Sequence, residues 1–428
     1  MKLLLPEVNY GEGFSTQNDI FERKKLANQL SSIIKKSDDD SLVIALDDQW
    51  DNGKTTFLKM WENEIITNDE FNVIYFDAFQ NDYQDDAFLA LSSAIYPHIE
   101  KPADKRKYLK AAGGVGKFIV KAGAKVGLRA ATLGIVKDTD FDGLNDSIKE
   151  SIEEPIEKLI EEKLKNATKE TISIKKFKES ITASAKENKI VFIIDELDRA
   201  RPDFSLDLLE KIKHVFNTKK LFFVLAMNKE QFKHTIKKRY GEIDSETYLS
   251  KFIHFWFSLP HPKNEQGYTL TVERFLKHLS NKMELDEHYS ESVELLTKAL
   301  EYNNASLRDC ERCFSLLTLV LASQPQLDTV FQYAAAMLVY LKTRHPLVFE
   351  NIRLGSSSHE ELNASLNVDK WRDVNRDYIY KLLLTHFASY ENIRKSDNAY
   401  DRFLMDRIGR PIKALDSILP FFEHILDN

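Results

Sequence analysis

A short apolar run, Ser41–Asp47 (SLVIALD), leads through a polar loop into Gly53-Lys54-Thr55-Thr56. An amphipathic helical pattern follows at once, with Phe57, Leu58, Trp61 and Ile65 on its inner side. Few folds accept that order. The first turn of a helix has N–H groups without partners, and here they lie at the carboxyl end of a strand. Phosphate oxygens need such donors. Gly53 lets the backbone come close, Lys54 offers an ammonium to the β- and γ-phosphates, and Thr55 offers a hydroxyl to Mg²⁺. Trp50, Asp51, Asn52, Gly53, Lys54, Thr55 and Thr56 are therefore the candidate nucleotide-binding residues. The loop is irregular. In G-x-x-x-x-G-K-T the first glycine falls at position 48, where this chain has Asp48, and Asp51 is a second acid inside the loop. Asp tolerates left-handed backbone better than most residues, so the loop shape can survive. Two carboxylates beside a triphosphate repel it unless they point away.

A phosphate loop needs an acid at the same edge of the sheet. Lys189-Ile-Val-Phe-Ile-Ile-Asp195-Glu196 is an apolar strand ending in two acids. Asp195 suits the metal side, with Thr55, and Glu196 suits the attacking water. One further strand, Phe71–Asp77, lies between the two motifs in sequence, as in the NTPase class that places an extra strand between them. The next strand ends in Asn228, which either holds the water or caps the following helix.

The first 260 residues alternate strands and helices. Candidate strands are Ser41–Asp47, Phe71–Asp77, Ile190–Asp195, Leu221–Met227 and Phe252–Leu259. Alternation of this kind predicts an α/β domain with a mainly parallel five-stranded sheet. Pro260 and Pro262 break the pattern, and helical periodicity takes over, as in Leu307–Ala322 and Val330–Leu341. The expected division is an NTPase domain over 1–262 and an all-helical domain over 263–428, lid-like to about 345.

Residues 101–176 read as a helical insertion between the two motifs. Nine Lys or Arg and one acid occupy 101–130, whereas ten acids and two Lys occupy 138–162. Between Ala111 and Val136 lie six glycines, and Lys117, Lys121, Lys125 and Arg129 recur every four residues. Glycine costs about 1 kcal/mol per residue in an exposed helix, so six of them need a reason. Packing against the acidic stretch or a second subunit is one reason. Lying on an anionic membrane surface is another, and a disordered segment is the third reading. The four cations argue against a spanning helix.

Net charge is −7, which disfavours general coating of nucleic acid and leaves no expectation of sequence-specific binding. The nine cations lack interleaved aromatics, with only Tyr108 and Phe118 nearby. Cys310 and Cys313 form a lone C-x-x-C inside a helical pattern, and a reduced structural role is expected of them. The eleven histidines form no spaced cluster. Three leucines followed by Pro6 make no signal peptide, so a cytoplasmic protein is expected, with the inner membrane face as the alternative.

Leu197-Asp198-Arg199 follows Asp195-Glu196, and Arg201-Pro202 comes next. Trp50 precedes the last loop glycine by three. Phe76-Asp77-Ala78-Phe79, Tyr248-Leu249-Ser250-Lys251 and Leu307 to Arg312 follow in order. Together these motifs resemble the KAP family of P-loop NTPases, which is widespread in bacteria, and the likeness spans about residues 15–320. The departures are Asp48 and Asp51, where the family usually has glycine. The resemblance implies an AAA-like ATPase core, a helical domain, and ATP and Mg²⁺ as ligands. It implies that Arg308 senses the γ-phosphate. It offers Arg199 a role at nucleotide on a neighbouring subunit, against an internal salt bridge to Asp198, Asp203 or Glu210. Such proteins couple ATP turnover to a partner or to homo-oligomer assembly, some of them in exclusion of phage. A nucleotide switch with little hydrolysis is the alternative that Asp48 and Asp51 favour.

Overall fold

A computed structural model of the chain describes residues 1–37, 41–67, 70–132, 168–185, 188–264, 269–323, 327–371, 379, 382–383, 385–387, 410 and 412–423, with 118–132 as backbone. It forms two compact units. One holds residues 25–49 and 54–259, and the other holds 1–24, 50–53 and 260–428.

The first unit begins with α1 (Lys24–Lys36), β1 (Ser41–Asp47), α2 (Lys54–Ile66), β2 (Phe71–Asp77), α3 (Ala78–Asn81), α4 (Ala87–Ile95), α5 (Pro102–Thr132) and α6 (168–185). It continues with β3 (Lys189–Asp195), α7 (Pro202–Lys211), β4 (Leu221–Met227), α8 (Lys229–Tyr240), α9 (Ser245–Ser250) and β5 (Phe255–Ser258). The strands form the expected five-stranded sheet, in the order β2-β3-β4-β1-β5, with every neighbouring pair parallel. β1, β3 and β4 are interior and almost wholly buried, which is why their sequences are apolar throughout. β2 and β5 are the edges and carry half-buried positions. The fifth strand is shorter than its apolar run, because Phe252 and Ile253 leave α9 in a turn and drop into the core.

The strand between the two motif strands in space is β4. Phe71–Asp77, which separates them in sequence, lies at the sheet edge. Register aligns Asp47 with Met227 and Asp77 with Asp195, so the acidic strand ends emerge along one carboxyl edge. Ligands of open parallel sheets bind at such an edge. The α2 residues Phe57, Leu58, Trp61 and Ile65 are all buried, and the Trp61 indole donates to Ser31 Oγ on α1 at 2.9 Å.

The helix α5 of the insertion starts at Pro102. Tyr108 and Val115 anchor it in the core, where the Tyr108 ring meets Phe177 of α6 at 5.4 Å. A Cβ on Gly114 would lie 3.5 Å from Ser173 Oγ, so this glycine marks a close approach of α5 to α6. Among the described residues, nothing lies within 4 Å of a Cβ on Gly113 or Gly116. The acidic stretch 138–162 lies outside the described residues, as do the side chains of Lys121, Lys125 and Arg129. Among the described residues, no helix is long and apolar enough to cross a membrane.

The second unit contains α10 (Thr271–Lys282), α11 (Ser290–Tyr302), α12 (Leu307–Ser323), α13 (Thr329–Arg344), α14 (Pro346–Arg353), α15 (His359–Leu366) and α16 (Ala414–Ile418). α13 is buried at every position from Gln332 to Leu341. A helix apolar on all sides requires that enclosure. Cys310 and Cys313 sit on the buried side of α12 as free thiols, both pushed up by burial, Cys313 to about 12.

Candidate functional site

In the α/β unit, Lys54, Thr55 and Thr56 open α2. Lys54 is 9% exposed, and its ammonium donates to the backbone carbonyls of Asp48 at 2.6 Å and Gln49 at 2.9 Å. Burial pushes this ammonium below its ordinary value, and the carboxylates of Asp198, Asp48, Asp195 and Asp47 act against that shift. The loop therefore holds its lysine as a caged cation. Asp48 is nearly buried, and its carboxylate accepts the N–H of Gln49 at 2.7 Å. The left-handed backbone does not fall on Asp48. It falls on Asp51, with φ of 62°, and on Gly53, with φ of 81°.

Asp195 ends β3 at 1% exposure. Its Oδ1 accepts the Glu196 N–H at 2.9 Å, and its Oδ2 accepts the Tyr75 hydroxyl at 2.7 Å. Glu196 has φ of 57°, a conformation that costs a non-glycine residue about 1–3 kcal/mol. The residue follows Asp195 directly, so the strained turn sits at the carboxyl end of β3. Burial pushes the Glu196 carboxyl above the usual range; Arg199 opposes the shift, and Asp195, Asp77 and Asp198 add to it. Arg199 Nη1 lies 3.0 Å from Glu196 Oε2. Arg199 thus takes part in an internal ion pair, with Glu196. Asp203 pairs with Arg239.

Asn228 caps α8 through its carbonyl oxygen, which accepts the Gln231 N–H at 3.2 Å. Capping leaves the carboxamide nitrogen for a second partner. Asp198 accepts the Asn228 N–H at 2.9 Å, and Asp47 accepts the Lys229 N–H at 2.8 Å. The Leu-Asp-Arg motif thus builds the strand end that presents Asn228. Arg201 ties α7 to residues 82–85, with its N–H on Asp82 Oδ2 at 2.8 Å.

In the helical unit, residues 50–53 of the loop meet two arginines. Arg308 Nη1 lies 3.1 Å from Asp51 Oδ1. Arg308 is placed by the start of α12, where Ser306 and Asp309 cap each other and Asp309 also binds Arg344. The second arginine, Arg23, carried no motif in the sequence. It is 3% exposed, donates to the carbonyls of Asn52 at 3.0 Å and Gly53 at 3.4 Å, and lies over the Phe21 ring at 4.6 Å. A Cβ on Gly53 would come to 3.0 Å from Arg23 Nη1, so the backbone angle favours glycine there and the space left is tight. Trp50 is 40% exposed beside these residues in sequence.

Several features fit a phosphate and a dication. Lys54 is surrounded by an excess of carboxylates, and Asp195 is fixed through both oxygens. Among the described residues, no group of three or more His, Cys, Asp or Glu could hold a metal alone. Mg²⁺ bound by one carboxylate, one hydroxyl and substrate phosphates needs no such group.

A model of the KAP family P-loop domain matches residues 23–323. The chain belongs to this family. The matched region of this KAP protein starts at Arg23, the buried arginine on the loop, and includes Arg308. Among solved structures, the chain is similar to the ORC2 protein of Aeropyrum pernix in ADPNP–ADP complexes, at 12% identity over 93% of each chain with a TM-score of 0.38. It is also similar to Cdc6p of Pyrobaculum aerophilum, at 10% identity over 99% of this chain and 100% of that one, with a TM-score of 0.43. Likeness at these scores says nothing about the ligands of the KAP protein. Comparison with curated proteins finds no match.

Proposed function

We propose that this KAP protein is an ATPase that couples ATP binding and hydrolysis to conformational change or assembly with a partner protein. The observation that carries the reading is the buried Lys54 ammonium, held on loop carbonyls among the carboxylates of Asp48, Asp195 and Asp198. In the proposed cycle Lys54 exchanges those carbonyls for phosphate oxygens. Gly53 and the first turn of α2 donate backbone N–H groups to the same phosphates. Thr55 and Asp195 would hold Mg²⁺, which when bound neutralises phosphate charge. Glu196 accepts a hydrogen bond from the attacking water. The water oxygen bonds to the γ-phosphorus, the bond to the ADP oxygen breaks, and Glu196 takes the water's proton. Its raised affinity for protons suits that task. The Asn228 carboxamide nitrogen orients the water. Arg308 leaves Asp51 to meet phosphate charge, because a guanidinium fork fits phosphate oxygens.

A second reading is a nucleotide switch with slow turnover. Two ion pairs favour it: Arg199 on Glu196 and Arg308 on Asp51 both occupy groups that turnover needs. Steady-state ATP hydrolysis by the wild type, Lys54→Ala and Glu196→Gln separates the two. No wild-type turnover above the Lys54→Ala background eliminates the ATPase. Mg²⁺-dependent ATP binding without turnover establishes the switch. A peripheral membrane role through residues 111–136 is tested by sedimentation with anionic liposomes at low salt, where failure to bind removes it.

A further inference from the structure

We infer that Tyr75 is a positioning residue for the metal-side carboxylate, setting how Asp195 faces a nucleotide-bound divalent cation. The inference rests on the reading of Asp195 given above. Tyr75 lies on β2, two residues before its end, and pairs with Ile193 while Asp77 pairs with Asp195. Its side chain shares the sheet face of Asp77, since alternate strand residues point the same way. The hydroxyl meets Asp195 Oδ2 at 2.7 Å. The other oxygen, Oδ1, already takes the Glu196 N–H at 2.9 Å.

With both oxygens engaged, the carboxylate cannot rotate about its last bond without losing one donor. Each carboxylate oxygen has two lone pairs, and each donor uses one. The remaining pair on each oxygen is left in a fixed direction for a metal or its water. The ring is itself held. Lys59, from the first turns of α2, places its ammonium 5.8 Å from the ring centroid. Tyr75 thus links the helix that begins with Lys54 and Thr55 to the acid at the end of β3. Nothing in the sequence singles it out: at the fifth position of an apolar strand it reads as ordinary core aromatic.

A purely structural phenol and a positioning phenol behave differently on losing one oxygen. The test uses full-length protein, fluorescent ADP with and without Mg²⁺, and the variants Tyr75→Phe, Asp195→Asn and the double variant. Second-layer partners of metal ligands typically alter metal affinity by about 10- to 100-fold when removed. Tyr75→Phe is expected to raise the half-saturating Mg²⁺ for ADP binding about tenfold and leave Mg²⁺-free ADP binding unchanged. In the Asp195→Asn background the same change is expected to have no further effect. That double variant keeps the test decisive if Tyr75→Phe alone lowers the melting temperature, because general loosening would act in both backgrounds. An unchanged Mg²⁺ requirement in Tyr75→Phe, with Asp195→Asn raised, overturns the inference and leaves the site reading standing. If Asp195→Asn also leaves the Mg²⁺ requirement unchanged, the reading of Asp195 falls and the inference with it.

Discussion

Arg308 and Asp51 form an ion pair at 3.1 Å, joining the start of α12 to the residue that occupies a glycine position of the phosphate loop. The pair answers the question that Asp51 raises in the sequence. Its carboxylate has a cation of its own, and its left-handed backbone is one that Asp accepts more readily than most residues. Arg308 is 60% exposed, and pairs this open to water contribute about 0–1 kcal/mol. An arriving phosphate can therefore displace Asp51 at little cost. Asp51→Gly keeps the backbone angle and removes the competitor. It is expected to tighten ATP binding by roughly fivefold, about 1 kcal/mol, with the gain shrinking as salt rises. Arg308→Ala is expected to weaken ATP binding more than ADP binding. Calorimetric titration of both nucleotides at two salt concentrations checks this, and equal losses for ATP and ADP would remove Arg308 from the γ-phosphate.

Gly53 and Arg23 depend on each other. Alanine at 53 would take an unfavourable left-handed backbone, at about 1–2 kcal/mol, and press its Cβ to 3.0 Å from the guanidinium. Arg23→Ala leaves two loop carbonyls without their donor. Hydrogen bonds to charged groups contribute about 1.5–3 kcal/mol each, so a clear drop in melting temperature is expected. Arg23→Lys should not restore it, since a single ammonium cannot reproduce the fork. Thermal melts of the three variants, followed by ATP titration, provide the measurement. Wild-type melting and binding in the Arg23→Lys variant would contradict this account of the loop.

Cys310 and Cys313 should be inert while the chain is folded. Both thiols are buried and shifted away from the thiolate, which is the reactive form. Maleimide at neutral pH is expected to leave both unlabelled in native protein and to label both in guanidinium, as read by intact mass. Rapid native labelling of either would reopen a redox or metal role for the C-x-x-C pair.

Much of the sheet was legible because strands covered on both faces must be apolar throughout. Ser41–Asp47, Phe71–Asp77 and Leu221–Met227 read from sequence with the bounds they have in the structure. β5 was less so, since the buried turn at Phe252 and Ile253 is as apolar as the strand itself. Lys54, Asp195 and Glu196 stood out in the sequence because phosphate chemistry calls for a lysine at a helix start and acids at a strand end. Arg23 and Tyr75 were not. Each acts through a contact set by tertiary packing, one on loop carbonyls and one on a carboxylate 120 residues away in sequence. The ion pair of Arg199 with Glu196 was not legible for a related reason. The left-handed turn at Glu196 brings the carboxylate back onto Arg199, and no propensity rule foresees that turn at a glutamate.

That turn also determines how activity should depend on pH. Glu196 must be ionised to take a proton, and burial raises its proton affinity above that of an ordinary carboxylate. Turnover should therefore rise with pH through a midpoint above the usual carboxylate range, and fall as acid protonates Glu196. Arg199 holds that midpoint down, since its positive charge favours the ionised form. Arg199→Ala should move the acidic limb to higher pH while freeing the carboxylate from its ion pair. On the plateau above the limb, where Glu196 is ionised in both proteins, the variant should match or exceed the wild type. Within the limb it should fall below it. Rate profiles from pH 5 to 9 at saturating ATP and Mg²⁺ resolve the two effects. A uniform loss at every pH would instead show that Arg199 itself stabilises the transferring phosphoryl group.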